Sequence, residues 1–277
     1  MNIFEQMISN PTFIFVDGSY YCFYRYYALL QWWKNAYPDE EINDPYQNEK
    51  FVEKFKKTFT EHLRQIPKKL KIDKKINPIL IAAKDCKREN IWRMELFKEY
   101  KANRLNGPEN GFMVGPFFKM VYDEELFQQG GIKTILKHPK LEADDCIALS
   151  VKYLVQKYPE CQIYIITSDR DYLQLQSKQI QIFNLTYKNL KSTGNSERDL
   201  HIKILMGDSS DNIPSVFPKC GEKTAMKCLD DKDYFERKMN NKEEYYKQYE
   251  LNKTLVCFDK IPIELQDEFM SNIIKNN

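Results

Sequence analysis

The apolar positions of this chain follow two alternating patterns. Short runs rich in β-branched and aromatic residues, such as FIFV at 13–16 and IYII at 163–166, are typical of buried strands. Between such runs, apolar residues recur every three or four positions, as in 51–66, which is the spacing of an amphipathic helix. Strands that alternate with helices predict an α/β fold with a mainly parallel sheet flanked by helices.

The boundaries of the predicted elements follow from where these patterns begin and end. The predicted strands are 12–19, 77–85, 132–138, 162–171 and 180–185. The predicted helices are 20–33, 51–66, 86–104, 117–129, 141–158 and 197–206, with further polar helices towards the end of the chain. The segment 105–116 holds three Gly and two Pro, a composition that predicts an exposed loop or a break between helices.

Nine carboxylates stand where predicted strands end or predicted helices begin. They form five clusters: Asp17; Asp85; Glu142, Asp144 and Asp145; Asp169 and Asp171; Asp208 and Asp211. In an open α/β sheet, ligands bind beyond the carboxyl ends of the strands. Acids gathered there would repel one another, and divalent ions that prefer hard oxygen ligands, such as Mg²⁺ or Mn²⁺, would relieve that repulsion. Because two ions about 3.5–4 Å apart can activate a water and stabilise a leaving oxygen, we predict a two-metal phosphodiesterase.

Each cluster taken alone also has a structural interpretation. Asp17 fits a helix N-cap, and three acids within 142–145 fit the first turn of a helix, where the helix dipole favours negative charge. The remaining acids fit solvated turns, especially in the segment DNIP at 211–214. Five such clusters at element ends favour metal binding when they are taken together.

The charge of the chain supports a polyanionic substrate. The formal net charge is +2, but without the nine clustered acids it would be +11. An acidic pocket within a basic surface suits an enzyme that holds a polyanion and cuts it with metal. Aromatic residues make up 14% of the chain, and some of these rings are expected to stack on unpaired bases.

The cysteines and the N-terminus indicate the compartment. The seven cysteines include no CxxC pair, which is typical of reduced thiols in an intracellular protein. The run FIFV is far too short for a signal peptide or a membrane span. We therefore expect a soluble intracellular protein, without distinguishing cytoplasm, nucleus or viral factory.

Several ordered motifs resemble one known family. LEADD at 141–145, ITSDRDYLQL at 166–175, LMGDSSDNIP at 205–214 and GEKTA at 221–225 are similar to the 5′-nuclease superfamily, as is WRMELFKEYKANR at 92–104. This superfamily includes flap endonucleases, phage 5′–3′ exonucleases and the 5′-nuclease domain of bacterial DNA polymerase I. The resemblance covers roughly residues 12–230. It implies a PIN-like, resolvase-like α/β domain at 1–199 with a helical arch at about 86–130. It also implies a helix–three-turn–helix element within 200–277 that binds duplex DNA.

The resemblance also assigns roles to individual residues. All nine acids match the family's metal ligands, which hold two Mg²⁺, with Mn²⁺ as a substitute. Lys101 matches a lysine at the base of the arch that contacts the scissile phosphate, and Arg25 resembles the family's basic partner on the first helix. The ring that stacks beside the cut is either Phe23 or Tyr24. Arg25 follows Asp17 by eight residues where the family commonly has seven, and one extra helical residue rotates a side chain by about 100°.

Further residues are predicted to contact DNA. The predicted set is Lys84, Arg88, Arg93, Arg104, Lys219, Gly221, Lys223, Thr224 and Tyr24. In the turn SVFPKCGEKTA, Pro218 and Lys219 stand where the family commonly has glycine, and proline lacks a backbone donor. The sequence therefore leaves open whether a K⁺ ion binds at this turn.

The predicted function is a structure-specific 5′-nuclease, a 5′–3′ exonuclease or flap endonuclease that removes 5′ flaps or RNA primers in DNA replication and repair. One alternative is a catalytically silent DNA-junction-binding protein, for which the complete acid set has no purpose. A PIN-type single-strand ribonuclease would lack the DNIP hairpin. A haloacid-dehalogenase phosphatase would need an acid where Ser19 stands, and a DEDD exonuclease would need D-x-E in the first strand.

Protein partners leave little signal in the sequence. The ending EFMSNIIKNN lacks the glutamine-led aromatic motif of sliding-clamp ligands. We expect a monomer whose partner is DNA with 5′ flaps, nicks or RNA primers, and no membrane association.

Overall fold

A five-stranded parallel sheet forms the centre of the protein. The computed structural model describes residues 10–40, 42–103 and 114–275. The strands are β1 Thr12–Asp17, β2 Ile79–Ala83, β3 Thr134–Leu136, β4 Gln162–Ile166 and β5 Ile180–Phe183. Their order across the sheet is β3-β2-β1-β4-β5, and every neighbouring pair is parallel. The predicted α/β fold with a mainly parallel sheet is confirmed.

Both faces of this sheet are covered by helices. Along β1, Phe13 and Phe15 face one hydrophobic core, while Ile14 and Val16 face the other. Alternate side chains of a strand point to opposite faces, so a strand buried on both sides reads as a continuous apolar run. The described α-helices are α1 Gly18–Ala36, α2 Glu49–Lys69, α3 Arg93–Leu96, α4 Gly115–Asp123, α5 Leu126–Gln129, α6 Ala143–Lys157, α7 Ser196–Met206, α8 Glu222–Asp230, α9 Lys232–Met239, α10 Glu243–Val256 and α11 Ile263–Lys275.

The strand order places a crevice beyond β1 and β4. The chain builds the sheet outward from β1 through β2 to β3 and then returns to add β4 and β5 on the other side of β1. The connections therefore leave β1 and β4 in opposite directions, and such a switch point opens a crevice at the carboxyl ends of the two strands.

The prediction of one helix over 86–104 is wrong. The described part of this segment holds a short 3₁₀ turn at Arg88–Asn90, the single turn of α3, and further turns up to residue 103. Trp92, Arg93 and Tyr100 of this segment are buried. Residues 104–113 lie outside the described residues, so the arch at about 86–130 stays a prediction.

The predicted helix at 117–129 is two helices. Helix α4 ends at Asp123 and α5 begins at Leu126. Between them, Glu125 has a φ of 54°, a left-handed conformation that a continuous helix does not contain.

The C-terminal part has a hydrophobic cluster of its own. Side chains from α7, from the segment before α8, and from α8 and α9 make up this cluster, including Leu205, Phe217, Ala225 and Met239. Gly207 ends α7 with a φ of 66°, and a side chain there would collide with the carbonyl oxygens of Ile213 and Pro214. The division into 1–199 and 200–277 stays a prediction. None of the described helices is both long and apolar enough to cross a membrane.

Candidate metal centre and active site

Five of the predicted metal ligands line one cavity beyond the carboxyl ends of β1 and β4. They are Asp17, Asp85, Glu142, Asp144 and Asp169, together with Ser19, Tyr20, Phe23 and Lys101. Asp17 is the last residue of β1 and also the N-cap of α1, accepting a hydrogen bond from the backbone N–H of Tyr20 at 3.0 Å. The strand ends therefore bring distant acids together, as the sequence predicted.

The first residue of α1 has to be glycine for this arrangement. A side chain on Gly18 would collide with the backbone carbonyl oxygen of Ala83, at the end of β2. Because Gly18 lets α1 start so close to β2, Asp17 and Asp85 enter the same cavity.

The carboxylates form three overlapping groups. Oxygens of Glu142, Asp144 and Asp145 lie within 4.8 Å of one another, and the same holds for Asp144, Asp169 and Asp171. A third group is made of Asp171, Asp208 and Asp211. Asp144 and Asp171 each belong to two groups, so these seven acids form one continuous cluster, long enough to offer more than one metal position.

We call Asp17, Asp85, Asp144 and Asp169 the crevice acids. In the described residues, no lysine or arginine nitrogen comes within 4.0 Å of their carboxylate oxygens. Burial, and then repulsion from Asp85, raises the pKa of Asp17 to about 6. Burial, and then the charge of Asp145, raises the pKa of Asp144 well above its ordinary value. Within the described residues, the crevice acids therefore form no ion pair with a lysine or arginine.

Neutral groups hold the crevice acids in place. The Thr167 hydroxyl donates to Asp17 at 3.2 Å, and the Ser19 hydroxyl donates to Asp85. The backbone N–H of Ala143, at the start of α6, donates to Asp85 at 2.8 Å. These donors are uncharged, so they orient the carboxylates without neutralising their negative charge.

We call Asp171, Asp208 and Asp211 the lysine-paired acids. The Lys203 ammonium lies 2.5 Å from Asp171 and also pairs with Asp208, while Lys101 lies 3.7 Å from Asp211. Burial nevertheless outweighs Lys203 at Asp171 and raises its pKa to about 7. For Asp208, burial opposes ionisation, but the charge and hydrogen bond of Lys203 together with hydrogen bonds from Ser210 lower the pKa.

Lys203 is a site residue that the sequence reasoning missed. It lies on α7, in the apolar run IKILM five residues before Asp208. A lysine within an apolar run next to an acid motif was the available signal. Its partner Asp171 is 32 positions away along the chain, and sequence spacing does not reveal that contact.

Lys101 lies at the junction of the acid groups. Its ammonium pairs with Glu142 and approaches Asp211, and its backbone N–H donates to the carbonyl oxygen of Asp211 at 2.8 Å. The Tyr100 hydroxyl lies 3.0 Å from a Glu142 oxygen and 3.2 Å from an Asp211 oxygen. The structure therefore brings Lys101 into the cavity, and its contact with a phosphate stays a prediction.

Arg93 was predicted to contact DNA, and this prediction is wrong. Its side chain is almost completely buried, with 1% of the residue exposed. Two guanidinium nitrogens lie 2.7 and 2.8 Å from the two Asp145 oxygens, and one lies 3.0 Å from Glu142. Its Nε donates to the carbonyl oxygen of Leu255 at 2.7 Å. Arg93 thus neutralises two acids from inside the protein and ties them to the end of α10.

Asp145 has both oxygens occupied. Besides Arg93, the Trp92 indole N–H donates to it at 3.0 Å and the backbone N–H of Glu142 at 3.1 Å. Asp145 was predicted as a metal ligand, but it is not among the described residues that line the cavity, whereas Glu142 is, and the contacts of Asp145 make it a support for Arg93 and Glu142. We leave it out of the metal ligands proposed below.

The first helix presents a different ring from the one predicted to contact DNA. Phe23 lines the acid cavity, whereas Tyr24 is half-buried and packs beside Tyr20 in the hydrophobic core. Of the two rings considered, Phe23 lies beside the acids, and the DNA contact of Tyr24 stays a prediction.

The structure does not bring Arg25 into the acid cavity. It is not among the described residues that line the cavity, and its charge acts on Tyr21, His62 and Tyr187 instead. The extra residue between Asp17 and Arg25 turns the side chain to another face of α1. The predicted catalytic role of Arg25 is corrected on this basis.

The other predicted DNA contacts lie on two surfaces. Lys84 packs its ammonium over the Tyr122 ring at 3.9 Å, and Arg88 donates to the carbonyl oxygen of Lys101 at 2.9 Å. Near the start of α8, Lys219, Gly221 and Lys223 are exposed and Thr224 is half-buried. Arg104 lies outside the described residues. The DNA contacts of all these residues stay predictions.

Comparison with known proteins identifies the family. Residues 12–201 match the family model described as "5′-3′ exonuclease, N-terminal resolvase-like domain". The chain belongs to this 5′–3′ exonuclease family. It is 32% identical to a 5′-3′ exonuclease of Buchnera aphidicola from Acyrthosiphon pisum, over 98% of this chain and 83% of that protein. It is 35% identical to a 5′-3′ exonuclease of Bacillus subtilis, over 54% of this chain and 51% of that protein.

Solved structures show the same fold. A crystal structure of a phage T5 protein with metal ions matches with a TM-score of 0.63 at 18% identity, covering 95% of this chain and 98% of that one. The T5 flap endonuclease in a product-like complex with DNA and metal ions also matches with a TM-score of 0.63, at 17% identity, over 95% of this chain and 98% of that one. At these identities, the likeness to the solved structures shows the fold alone.

Proposed function

We propose that this 5′–3′ exonuclease family member is a structure-specific 5′-nuclease. It hydrolyses a phosphodiester bond close to where a 5′ flap or an RNA primer joins duplex DNA, in replication and repair. The observation that carries this proposal is the continuous carboxylate cluster at the switch point of the sheet, with Lys101 beside it.

The residues present fit divalent metal ions. The donors are carboxylate oxygens, the ligands that Mg²⁺ and Mn²⁺ prefer, and the crevice acids have no protein cation within ion-pair distance in the described structure. The crevice acids, with Glu142, would hold one ion, and the lysine-paired acids a second. When bound, such ions supply an activated water and neutralise charge on the phosphate and the leaving oxygen.

The protein's own lysines would complete the site. Lys101 lines the cavity and pairs with Glu142, so we assign it to a non-bridging oxygen of the scissile phosphate. The Tyr100 hydroxyl, between Glu142 and Asp211, positions these two carboxylates. Lys203 holds Asp171 and Asp208 close together and balances their charge.

The second surface suits the duplex. Helix α8 begins at Glu222 with Gly221 as its N-cap, and exposed Lys219 and Lys223 flank that end. The N-terminus of a helix with nearby lysines favours a phosphate group. We assign Lys219, Gly221, Lys223 and Thr224 to backbone contacts with duplex DNA, and Lys84 and Arg88 to the strand that enters the cavity.

Cleavage of labelled flap substrates tests the proposal. The substrates are a 5′ flap, a 3′ flap and a matched single strand, each incubated with Mg²⁺ or with EDTA. We expect Mg²⁺-dependent cutting near the junction of the 5′ flap and none of the 3′ flap. The Asp169→Ala variant should bind the 5′ flap and fail to cut it. Binding without cutting by the unmodified protein, in Mg²⁺ and Mn²⁺ alike, would contradict the proposal and favour the silent junction-binding protein.

A further inference from the structure

Exposed aromatic side chains are concentrated near the first helix. Among the described residues, the exposed large aromatics are Phe23, Tyr27, Trp32, Tyr37, Tyr46 and Tyr246. All of these except Tyr246 lie on α1 or in the segment that follows it, and the acid chemistry described above uses only Phe23. The surface of α1 therefore carries more exposed ring area than the metal centre needs.

Phe23 and Tyr27 form a pair of parallel rings on α1. They are four residues apart, so they lie on the same face of the helix, one above the other. Their planes differ by 10° and their centroids are 6.4 Å apart. Phe23 is 43% exposed and Tyr27 is 50% exposed, so both rings are accessible to a ligand.

Neighbouring rings hold this pair in place. The edge of Phe118, on α4, meets Phe23 with centroids 4.8 Å apart and planes at 60°. Tyr26 meets Tyr27 with centroids 5.2 Å apart and planes at 80°. Rings braced in this way lose little conformational freedom on binding, which favours stacking of a flat ligand.

The ring pair continues directly from the acid cavity. Phe23 lines the cavity with the crevice acids, and Tyr27 lies one helical turn farther from them. The same face of α1 continues through Leu30 to Lys34. Helix α1 contains Arg25 and Lys34 but no acidic residue, so this surface does not repel a phosphate backbone.

We propose that Tyr27 extends Phe23 into a stacking surface for unpaired nucleotides of the substrate, beyond the nucleotide at the cut. This inference rests on the proposed function, because it assigns the occupant as the single-stranded continuation of the strand in the acid cavity. Aromatic rings accept the face of any base, so the surface is tolerant of sequence. Tyr27 is a binding residue, and it does not touch the reacting atoms.

The test compares substrates with and without unpaired nucleotides. The substrates are a 5′ flap and a nicked duplex of the same sequence, and binding is measured by fluorescence anisotropy with the uncleaving Asp169→Ala protein as background. Adding Tyr27→Ala should weaken binding of the flap by about tenfold and leave the nicked duplex unchanged, because one stacked base is lost. Adding Tyr27→Phe, which keeps the ring, should retain flap binding.

Tyr246 supplies the matched control. It is another exposed tyrosine, 46% exposed, on α10. Adding Tyr246→Ala to the same background should leave flap binding unchanged. A fluorescent base analogue placed at successive unpaired positions should be quenched by the Asp169→Ala protein, and this quenching should weaken when Tyr27→Ala is added.

Several results would overturn the inference. If Tyr27→Ala leaves flap binding unaffected, Tyr27 does not contact the DNA, and its exposed ring would be available to a protein partner instead. An equal loss of binding for the nicked duplex would show that Tyr27 supports the fold or the duplex. These outcomes differ from failure of the proposed function, in which the otherwise unmodified protein would cut none of the flap substrates.

Discussion

The crevice acids and the lysine-paired acids have similar ligand atoms but differ in the protein cations that pair with them. The crevice acids Asp17 and Asp144 have raised pKa values because burial and neighbouring carboxylates oppose their ionisation. Asp208, one of the lysine-paired acids, has a lowered pKa because Lys203 favours its charge. The crevice acids therefore need an external cation to balance their charge, whereas the lysine-paired acids already have a cation from the protein.

This difference orders the binding of metal ions. An ion entering beside the crevice acids gains attraction and relieves their repulsion, and in the described structure the lysine it competes with, Lys101, pairs with Glu142 and with none of the crevice acids. An ion entering beside Asp171 and Asp208 competes with Lys203, which lies close to both. We therefore expect two unequal affinities, with the tighter ion at the crevice acids. Bound DNA would favour the second ion if a phosphate oxygen attracts Lys203 away from its acids.

Arg93 binds Glu142 and Asp145 from inside the protein, and its removal should have the largest effect on the free energy of unfolding. Arg93→Met would leave Asp145 and Glu142 buried without their guanidinium partner. Breaking a buried pair from one side costs about 3–5 kcal/mol. Urea unfolding should show a loss of that size. The control is Lys140→Met, since Lys140 pairs with Glu95 at the surface, at 3.3 Å, and should cost under about 1 kcal/mol. Equal losses for the two variants would contradict the role of Arg93.

Removing Lys203 should make the crevice acids and the lysine-paired acids more alike in their affinity for metal ions. In Lys203→Met, the lysine-paired acids lose their cation, and an added ion no longer competes with an ammonium group. We expect the affinity for the more weakly bound Mn²⁺ to increase by about tenfold. This change is modest compared with the full attraction between two close charges in a protein. Isothermal titration calorimetry of the DNA-free protein measures this change. A weaker second affinity in Lys203→Met would mean that Lys203 organises the acids for metal.

The pH dependence of stability should show the raised pKa values directly. The pKa of Asp17 is about 6 and that of Asp171 about 7, against an ordinary value of 3.8. Between these values the folded protein binds more protons than the unfolded chain, so metal-free stability falls as pH rises from about 4 to 7. Mg²⁺ offsets that loss, and it should raise the Tm by a few degrees more at pH 8 than at pH 5.

Two observations would refine or reject this pH prediction. The Asp17→Asn variant keeps an N-cap side chain and removes one titrating group, so its metal-free stability should fall less steeply with pH. An equal Mg²⁺ effect on Tm at pH 5 and pH 8 would contradict the link between the acids and the metal.

The sequence predicted the sheet well because parallel strands are buried on both faces. The run TFIFVD is β1 with its terminal acid, and the same pattern of an apolar run followed by acids predicted β4, although β4 ends at Ile166 and not at the predicted residue 171. Acids at strand ends converge whenever the strands are parallel neighbours, so the crevice was predictable from local patterns. The family resemblance then matched all nine acids, including those at the start of α6 and in the turn after α7, to the family's metal ligands.

Other features depend on contacts that local patterns do not contain. Arg93 looks like one more basic residue in a charged segment, and only its burial against Asp145 separates it from Arg88. Lys203 reaches Asp171 across the fold. Whether Phe23 or Tyr24 faces the cavity depends on the rotation of α1 about its axis. The sequence leaves this rotation open, because Arg25 follows Asp17 by one residue more than is common in the family.

The most direct test of the metal centre is Mn²⁺ binding to the DNA-free protein, measured by calorimetry for the unmodified chain, Asp17→Asn and Asp208→Asn. The unmodified chain should bind two Mn²⁺ with unequal affinities. Asp17→Asn should lose the tighter one, and Asp208→Asn should weaken only the other. The absence of saturable binding in the unmodified chain, or two intact sites in Asp17→Asn, would contradict the assignment of the crevice acids as the primary metal site.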